Sequence, residues 1–116
     1  HLRGEHKALN LLKKLRESEK VELWTGAMQR AQIVFFMRPL EEPATLLFLA
    51  QFQTAAIDQQ IVDAAGEFYR RWNPQNCTDI NDAILAATVQ QTGGTLYTLN
   101  ARHFPMPEIS VRRAWK

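Results

Sequence analysis

The sequence predicts one α/β domain over residues 1–116, with a sheet whose strands are largely parallel. Two observations support this fold class. Segments with helical periodicity alternate along the chain with short runs of strand-forming residues, and this alternation is typical of βαβ units. The sequence also has no internal repeat, no low-complexity tract and no linker rich in proline, glycine or serine. Its 116 residues are therefore expected to share a single core.

The first half of the chain is predicted to contain helices on either side of a short strand. Residues 21–25, VELWT, form the strand, and Thr25 is expected to cap a helix over 26–37 that Pro39 stops. A further helix begins at Glu41, since acids and a proline occupy its first turn. Apolar residues at i, i+3, i+4 and i+7 indicate an amphipathic helix before the strand: Ala8, Leu11, Leu12 and Leu15.

The fourth predicted helix is expected to begin after a brief strand at 55–57. Asp58 is suited to cap this helix, and Asn73 with Pro74 ends it. Its predicted core stripe consists of Ile61, Ala64, Ala65, Phe68 and Trp72.

Residues 78–104 are predicted to form a helix, a glycine turn, a strand and a polar loop. Asp79 can cap the first amides of the helix, and Asp82 lies where the helix dipole favours a carboxylate. Gly93 and Gly94 end the helix, because glycine adopts left-handed backbone angles without a steric penalty. A narrow apolar face of this helix is expected from Ile80, Ala83, Ile84 and Ala87.

The carboxyl end of the strand that begins at Leu96 is where a ligand site is expected, as in other open α/β sheets. The polar residues at this carboxyl end are Thr98, Asn100, Arg102 and His103. A final strand is predicted over 109–112.

Composition restricts the class of protein. The net charge of +2 is too small to indicate nucleic-acid binding by itself. Cys77 is the only cysteine, so no internal disulfide can form and a cytoplasmic, reducing setting is expected. The longest apolar runs, 33–37 and 44–50, are shorter than a membrane span, so no membrane association is expected. The sequence shows neither zinc-ligand spacing nor a glycine-rich phosphate loop.

The runs NDAILAAT, TLYTLNARHF and VRRAW, within residues 78–115, resemble the C-terminal half of PIN-domain proteins, in particular the VapC-type ribonuclease toxins. Upstream, HLRGE and AMQRAQIVFFM occur in the corresponding order. The resemblance implies a three-layer α/β/α sandwich with a mostly parallel central sheet. It also implies cleavage of RNA with Mg²⁺ or Mn²⁺, an antitoxin-like protein partner and a homodimer. The first strand of such a sandwich would come just before His1, so we expect that it is missing from this sequence; the alternative is a swapped or differently paired dimer.

Four acidic positions in PIN domains would hold the metal ion, and the resemblance carries three of them onto this chain. The first belongs to the strand expected before His1. The second falls on Gln32, a neutral amide that offers only a weak ligand. The third matches Asp82, with Asp79 either as a second metal ligand or only as a helix cap. The fourth lies in the TLNARHF segment, which offers Asn100 and His103 but no acid.

This incomplete acidic set leaves two functional hypotheses. In the first, the chain is a metal-dependent endoribonuclease whose catalytic residues are Asp82, Gln32 and Asn100. Asp82 would hold the metal together with the acid of the missing strand, and Gln32 and Asn100 would serve as weak neutral ligands or as contacts to the phosphate. Thr98, Arg102 and His103 would then bind the RNA, although Thr98 and Asn100 could merely satisfy their own turn and His103 could pack beside Phe104. In the second, the chain is a non-catalytic PIN module that binds an antitoxin-like protein, or itself, through the apolar faces of its first helices. An unrelated small α/β protein is the third alternative.

Overall fold

The structure, a computed structural model, describes residues 10–11, 13–14 and 22–114. Residues 10, 11, 13 and 14 have helical backbone, while the rest of the predicted first helix, with Ala8, Leu12 and Leu15, lies outside the described residues. Glu22–Ile57 form one compact unit, and the residues from Asp58 onward belong to another. Each unit is described by itself below.

The first unit, residues 22–57, contains two short strands and two helices. Strand β1, Trp24–Gly26, is followed by helix α1, Ala27–Phe36. A 3-10 turn at Pro39–Glu41 then leads into helix α2, Glu42–Leu49, and strand β2 is Gln53–Ala55. The two strands pair in parallel, with Trp24 opposite Gln53 and Gly26 opposite Ala55.

Three predictions for this unit were wrong by a few residues. The strand predicted over 21–25 lies at Trp24–Gly26. Thr25 does not cap α1, because it lies within β1; the cap residue is Gly26, which has no side chain to offer. The strand predicted at 55–57 lies instead at Gln53–Ala55. Its position follows from its partner, since β1 is only three residues long and the ladder ends with Gly26 opposite Ala55.

The second unit is built on two helices, α3 at Gln59–Trp72 and α4 at Ile80–Thr92, which pack along each other. As predicted, Asp58 caps α3, because its Oδ1 atom accepts a hydrogen bond from the Ile61 amide over 2.9 Å. Three residues of the predicted stripe, Ile61, Ala65 and Phe68, are buried, while Ala64 and Trp72 are half-buried. The core of the unit contains Ile61, Ala65, Phe68, Ala83, Ala86, Ala87, Val89, Leu96, Phe104 and Met106.

The packing face of α4 differs from the prediction at its first residue. Ile80, placed in the apolar face by its spacing, is 66 % exposed. It is the first residue of the helix, and burial is confined to residues at and after Ala83. The buried residues of α4 are three alanines together with Thr88 and Val89, so much of its packing face is small.

The end of α4 leads into the second pair of strands. Gly93 ends the helix with a left-handed φ of 72°, as predicted. Strand β3, Thr95–Thr98, pairs in parallel with strand β4, Ser110–Arg113. β4 begins and ends one residue later than the predicted strand over 109–112. The ladder continues briefly, since the Ala114 amide donates to the Thr98 carbonyl over 3.0 Å.

The predicted α/β class with parallel strands is confirmed. Over the described residues, the strands form two parallel pairs, β1 with β2 and β3 with β4. No helix in the described part of the chain is long and apolar enough to cross a membrane.

Candidate functional site

The amino-terminal end of α4 holds a small cluster of ionisable side chains. Asp79 and Asp82 form reciprocal hydrogen bonds there. The Asp82 amide donates to Asp79 Oδ1 over 2.7 Å, and the Asp79 amide donates to Asp82 Oδ2 over 3.1 Å. This capping box satisfies two amides of the first turn. The predicted cap at Asp79 is therefore confirmed, and the same bonds fix the direction of the Asp82 carboxylate.

A histidine from the loop after β3 meets this carboxylate. The 3-10 turn Ala101–His103 brings the Nδ1 atom of His103 to 3.3 Å from Asp82 Oδ2. Both side chains are partly buried, with 27 % of the histidine and 20 % of the aspartate exposed. The sequence left open whether His103 packs beside Phe104, and the contact found for its side chain is with Asp82. Phe104 turns into the core, whereas His103 faces the helix end.

The surroundings of Asp82 disfavour its charged form. Its partial burial raises the pKa of the Asp82 carboxyl above the ordinary value of 3.8, and the nearby charge of Asp79 adds to this effect. The hydrogen bond from the Asp79 amide and the proximity of His103 act in the opposite direction. Repulsion between two carboxylates is the kind of effect that a bound cation relieves.

A network of hydrogen bonds connects the 3-10 turn to the segment before α4. The Thr78 hydroxyl donates to the His103 carbonyl over 2.7 Å, and Asn76 Nδ2 donates to the Arg102 carbonyl over 3.0 Å. Arg102 Nη2 lies 3.3 Å from Cys77 Sγ. Sequence analysis missed Thr78. The available signal was its position just before the cap, where side chains often pack inward.

The remaining residues predicted to bind substrate lie in the same loop. Thr98 Oγ1 accepts a hydrogen bond from the Asn100 amide over 3.0 Å, which is the local turn contact that the sequence analysis left open. Asn100 and Arg102 are exposed. The structure thus brings Asp79, Asp82, Arg102 and His103 to one end of the second unit, while their roles toward RNA stay predictions.

Gln32 lies on α1, in the first unit, and is exposed. Its predicted role as a weak ligand is not tested by this placement.

The described residues do not by themselves make a complete metal site. They contain no group of three or more histidine, cysteine, aspartate or glutamate side chains arranged to hold a metal ion. Asp79 commits one carboxylate oxygen to the helix cap, and both contacts of Asp82 use Oδ2. Asp82 Oδ1 takes part in neither of these contacts.

Comparison with known sequences decides the family. The PIN domain profile matches residues 2–107. The chain belongs to the PIN-domain family. This PIN domain is also 30 % identical, over 109 residues, to Ribonuclease VapC10 of Mycobacterium tuberculosis, both in strain CDC 1551 / Oshkosh and in strain ATCC 25618 / H37Rv.

The similar region covers 93 % of this chain and 80 % of the mycobacterial ribonuclease. No solved structure matches the chain significantly. The resemblance inferred from the 78–115 motifs is confirmed, and the family match includes residues of both compact units.

Proposed function

We propose that this PIN domain is a VapC-like endoribonuclease that hydrolyses RNA phosphodiester bonds with the help of Mg²⁺ or Mn²⁺. The observation that carries the proposal is the Asp82 carboxylate, which is oriented by Asp79 and His103 at the start of α4 in a chain similar to a ribonuclease. Divalent metal would activate a water and neutralise charge on the phosphate. Asp82 would contribute one of its oxygen ligands.

The neighbouring polar groups are suited to hold the RNA. Arg102 and His103 lie on the same 3-10 turn, and the exposed Arg102 carries a guanidinium group, which binds phosphate well. Asn100 begins this turn and is exposed. We propose that Arg102, His103 and Thr98 bind the RNA backbone and that Asn100 and Gln32 act as neutral contacts to the phosphate or to the metal.

The test is cleavage of a fluorescent single-stranded RNA by the Asp82→Ala variant, with added Mg²⁺ or Mn²⁺ and with a chelator. Asp58→Ala is the matched control, because it removes an aspartate cap from α3 and leaves the site at α4 untouched. We expect the Asp82 variant to lose cleavage and the Asp58 variant to keep it. Undiminished cleavage by Asp82→Ala would sink the proposal.

A second experiment asks whether the neutral residue at position 32 limits the activity. If the chain is a weakened nuclease, Gln32→Glu restores a carboxylate at the position where the family resemblance implies one, and metal-dependent cleavage rises. If the chain has no catalytic function, the substitution leaves cleavage at background.

The alternative function is binding of a protein partner, and a specific feature of the first unit favours it. Four large apolar side chains between residues 35 and 47 are largely exposed, among them Phe36 at 81 % and Leu40 at 97 %. Phe35 and Leu47 are the other two. We call these four residues the apolar face.

The size of the apolar face suits a second copy of this chain. Since one phenylalanine presents about 150–250 Å², the face offers on the order of 500 Å². A stable interface takes about 800 Å² from each partner, and homodimer interfaces are about two-thirds apolar. The apolar part of such an interface is therefore about as large as the apolar face. The segment 26–49 carries two arginines and two glutamates, so two copies would not repel each other. We therefore propose self-association through this face.

Molar mass in solution, by light scattering after gel filtration, tests the dimer. The variant is Phe36→Glu combined with Leu40→Glu. Val62→Glu is the control, because Val62 is also an exposed apolar residue but lies on α3. We expect a dimer for the wild type and the control and a monomer for the double variant. A monomeric wild type would contradict the proposal and would leave the face to an antitoxin-like partner.

The cellular setting follows from the proposed substrate. RNA and an antitoxin-like protein are met in the cytoplasm, and Cys77, which is exposed and free of a disulfide, suits a reducing compartment. We propose a cytoplasmic location on these grounds.

A further inference from the structure

Thr78 is a buried polar side chain for which the proposed chemistry has so far given no role. It is 0 % exposed and directly precedes the cap of α4. Its hydroxyl donates to the His103 carbonyl over 2.7 Å. We propose that Thr78 is a positioning residue, whose bond to the His103 backbone fixes the approach of the His103 imidazole to the Asp82 carboxylate. The catalytic consequence rests on the proposed ribonuclease function.

Both partners of the Asp82–His103 contact are held by hydrogen bonds to residues of one short segment, 78–82, to which Asp82 itself belongs. Asp82 is held to it by the two bonds with Asp79. His103 is held to it by the Thr78 hydroxyl. The 3.3 Å separation is therefore set by short connections on both sides, and not only by the longer path through β3.

Thr78 is itself held in place. Its carbonyl accepts a hydrogen bond from Asn73 Nδ2 over 2.9 Å, which ties it to the end of α3. Asn76 provides a second connection to the 3-10 turn, through its 3.0 Å bond to the Arg102 carbonyl. Two consecutive carbonyls of that turn are thus bound by side chains from the segment 76–78.

The hydroxyl, and not the volume of Thr78, is the feature that the proposal needs. Thr78→Val keeps nearly the same shape but cannot donate, so the His103 carbonyl loses this partner. Thr78→Ser keeps the donor. Because a displacement of about 1 Å at a reacting group can cost about 100-fold in rate, we expect Thr78→Val to lower kcat/KM for RNA cleavage by about 10- to 100-fold. The serine variant should remain close to wild type.

The control variant is Thr88→Val. Thr88 is also a buried threonine, but its hydroxyl bonds within α4, to the Ile84 carbonyl over 2.8 Å. It reports the cost of removing a buried hydroxyl without disturbing the 3-10 turn. We expect its kcat/KM to stay near the wild-type value. A loss in Thr88→Val as large as that in Thr78→Val would mean that Thr78 has only a structural role.

A double-mutant cycle with His103→Ala separates positioning from general support of the fold. If Thr78 acts through His103, then Thr78→Val has little further effect on kcat/KM in the His103→Ala background. If Thr78 merely stabilises the fold, its effect persists there, and the proposal is wrong.

A measurement that needs no activity keeps the inference testable if the protein cleaves no RNA. The amides of His103 and Phe104 donate to the carbonyls of Asn100 and Ala101 within the 3-10 turn. Hydrogen exchange followed by NMR should show these two amides exchanging at least about 10-fold faster in Thr78→Val, with Thr88→Val unchanged. Unchanged exchange would overturn the positioning role.

If the wild type cleaves no RNA but the two turn amides exchange faster in Thr78→Val, only the ribonuclease proposal is refuted. If Thr78→Val does not fold, Asn76→Ala takes its place, because it removes the neighbouring bond to the turn without emptying a buried site. Exchange of the two turn amides should then also rise, and no rise would count against the proposal.

Discussion

The Nδ1 atom of His103 lies 3.3 Å from the Oδ2 atom of Asp82, which joins the loop after β3 to the first turn of α4. Through this contact, the charge of His103 affects the pKa of the Asp82 carboxyl. A histidine is positively charged at the acidic pH where carboxyl groups titrate. His103 therefore lowers the pKa of Asp82, against the larger effect of burial and the added effect of Asp79, both of which raise it.

We predict that His103→Ala raises the pKa of the Asp82 carboxyl further above 3.8, because the variant removes the nearby charge that lowers this pKa. The measurement is a pH titration of the Asp82 carboxyl ¹³C resonance. Asn100→Ala is the control, since Asn100 is a neutral, exposed residue at the start of the same turn. A fall in the Asp82 pKa in the histidine variant would show that the contact is not attractive.

Asp79 is predicted to matter for stability through its cap and not through its charge. Asp79→Ala removes the acceptor for the Asp82 amide and should cost about 1 kcal/mol in the free energy of unfolding. Asp79→Asn keeps an acceptor of similar capping strength and should cost far less. Urea unfolding of the two variants measures the difference.

The same pair of variants addresses the predicted metal role of Asp79. If Asp79 only caps the helix, Asp79→Asn keeps metal-dependent RNA cleavage. If its charge also binds the metal, cleavage falls although stability is preserved. In either case the pKa of Asp82 should move down toward its ordinary value in Asp79→Asn, because the charge of Asp79 raises it.

The ion pair between Arg71 and Glu108 gives a prediction about pH. Arg71 Nη1 lies 2.6 Å from Glu108 Oε2, and this hydrogen bond lowers the pKa of the Glu108 carboxyl below 4.5. A carboxyl whose pKa is lower in the folded state stabilises the fold above its unfolded pKa. That contribution is lost as the pH falls through the folded value.

We therefore expect Glu108→Gln to destabilise the second unit at pH 7 and to have no effect at a pH well below 4.5. Since both side chains are about one-third exposed, solvent screening limits the cost to roughly 0.2–1 kcal/mol. Unfolding in urea at both pH values measures it, and 1 M salt should reduce the difference at pH 7. An equal cost at the two pH values would rule out the ion pair as its source.

Sequence patterns predicted the second unit well because its elements are specified locally. The Asp58 and Asp79 caps and the Gly93 stop each depend on one side chain and a few neighbouring amides, and all three were predicted correctly. Parallel pairing was predicted from the alternation of helices and strands along the chain. That reason applies to β1 and β2, whereas β3 and β4 pair in parallel with only the 3-10 turn Ala101–His103 and loop residues between them.

The errors arose where distant parts of the chain decide the outcome. The limits of β2 are set by the short ladder with β1, which no local pattern in residues 53–57 reveals. The contact of His103 with Asp82 and the burial of Thr78 likewise depend on how the 3-10 turn meets the start of α4. Sequence spacing alone could place Asp82 in a candidate site through the family resemblance, but it could not find the bonds that orient it.

The two consecutive glycines after α4 give the last prediction, since they occupy different backbone conformations. Gly93 has a φ of 72°, and a Cβ built there would meet no atom within 4 Å. The cost of Gly93→Ala is therefore a pure backbone cost of about 1 kcal/mol in the free energy of unfolding.

At Gly94 the φ is not left-handed, and a Cβ would meet Thr92 Oγ1 at an ordinary 3.7 Å. Gly94→Ala should thus be neutral or slightly stabilising, by up to about 1 kcal/mol, because it restricts the unfolded chain. Thermal or urea unfolding of the two variants side by side would contradict this account if both substitutions had the same cost.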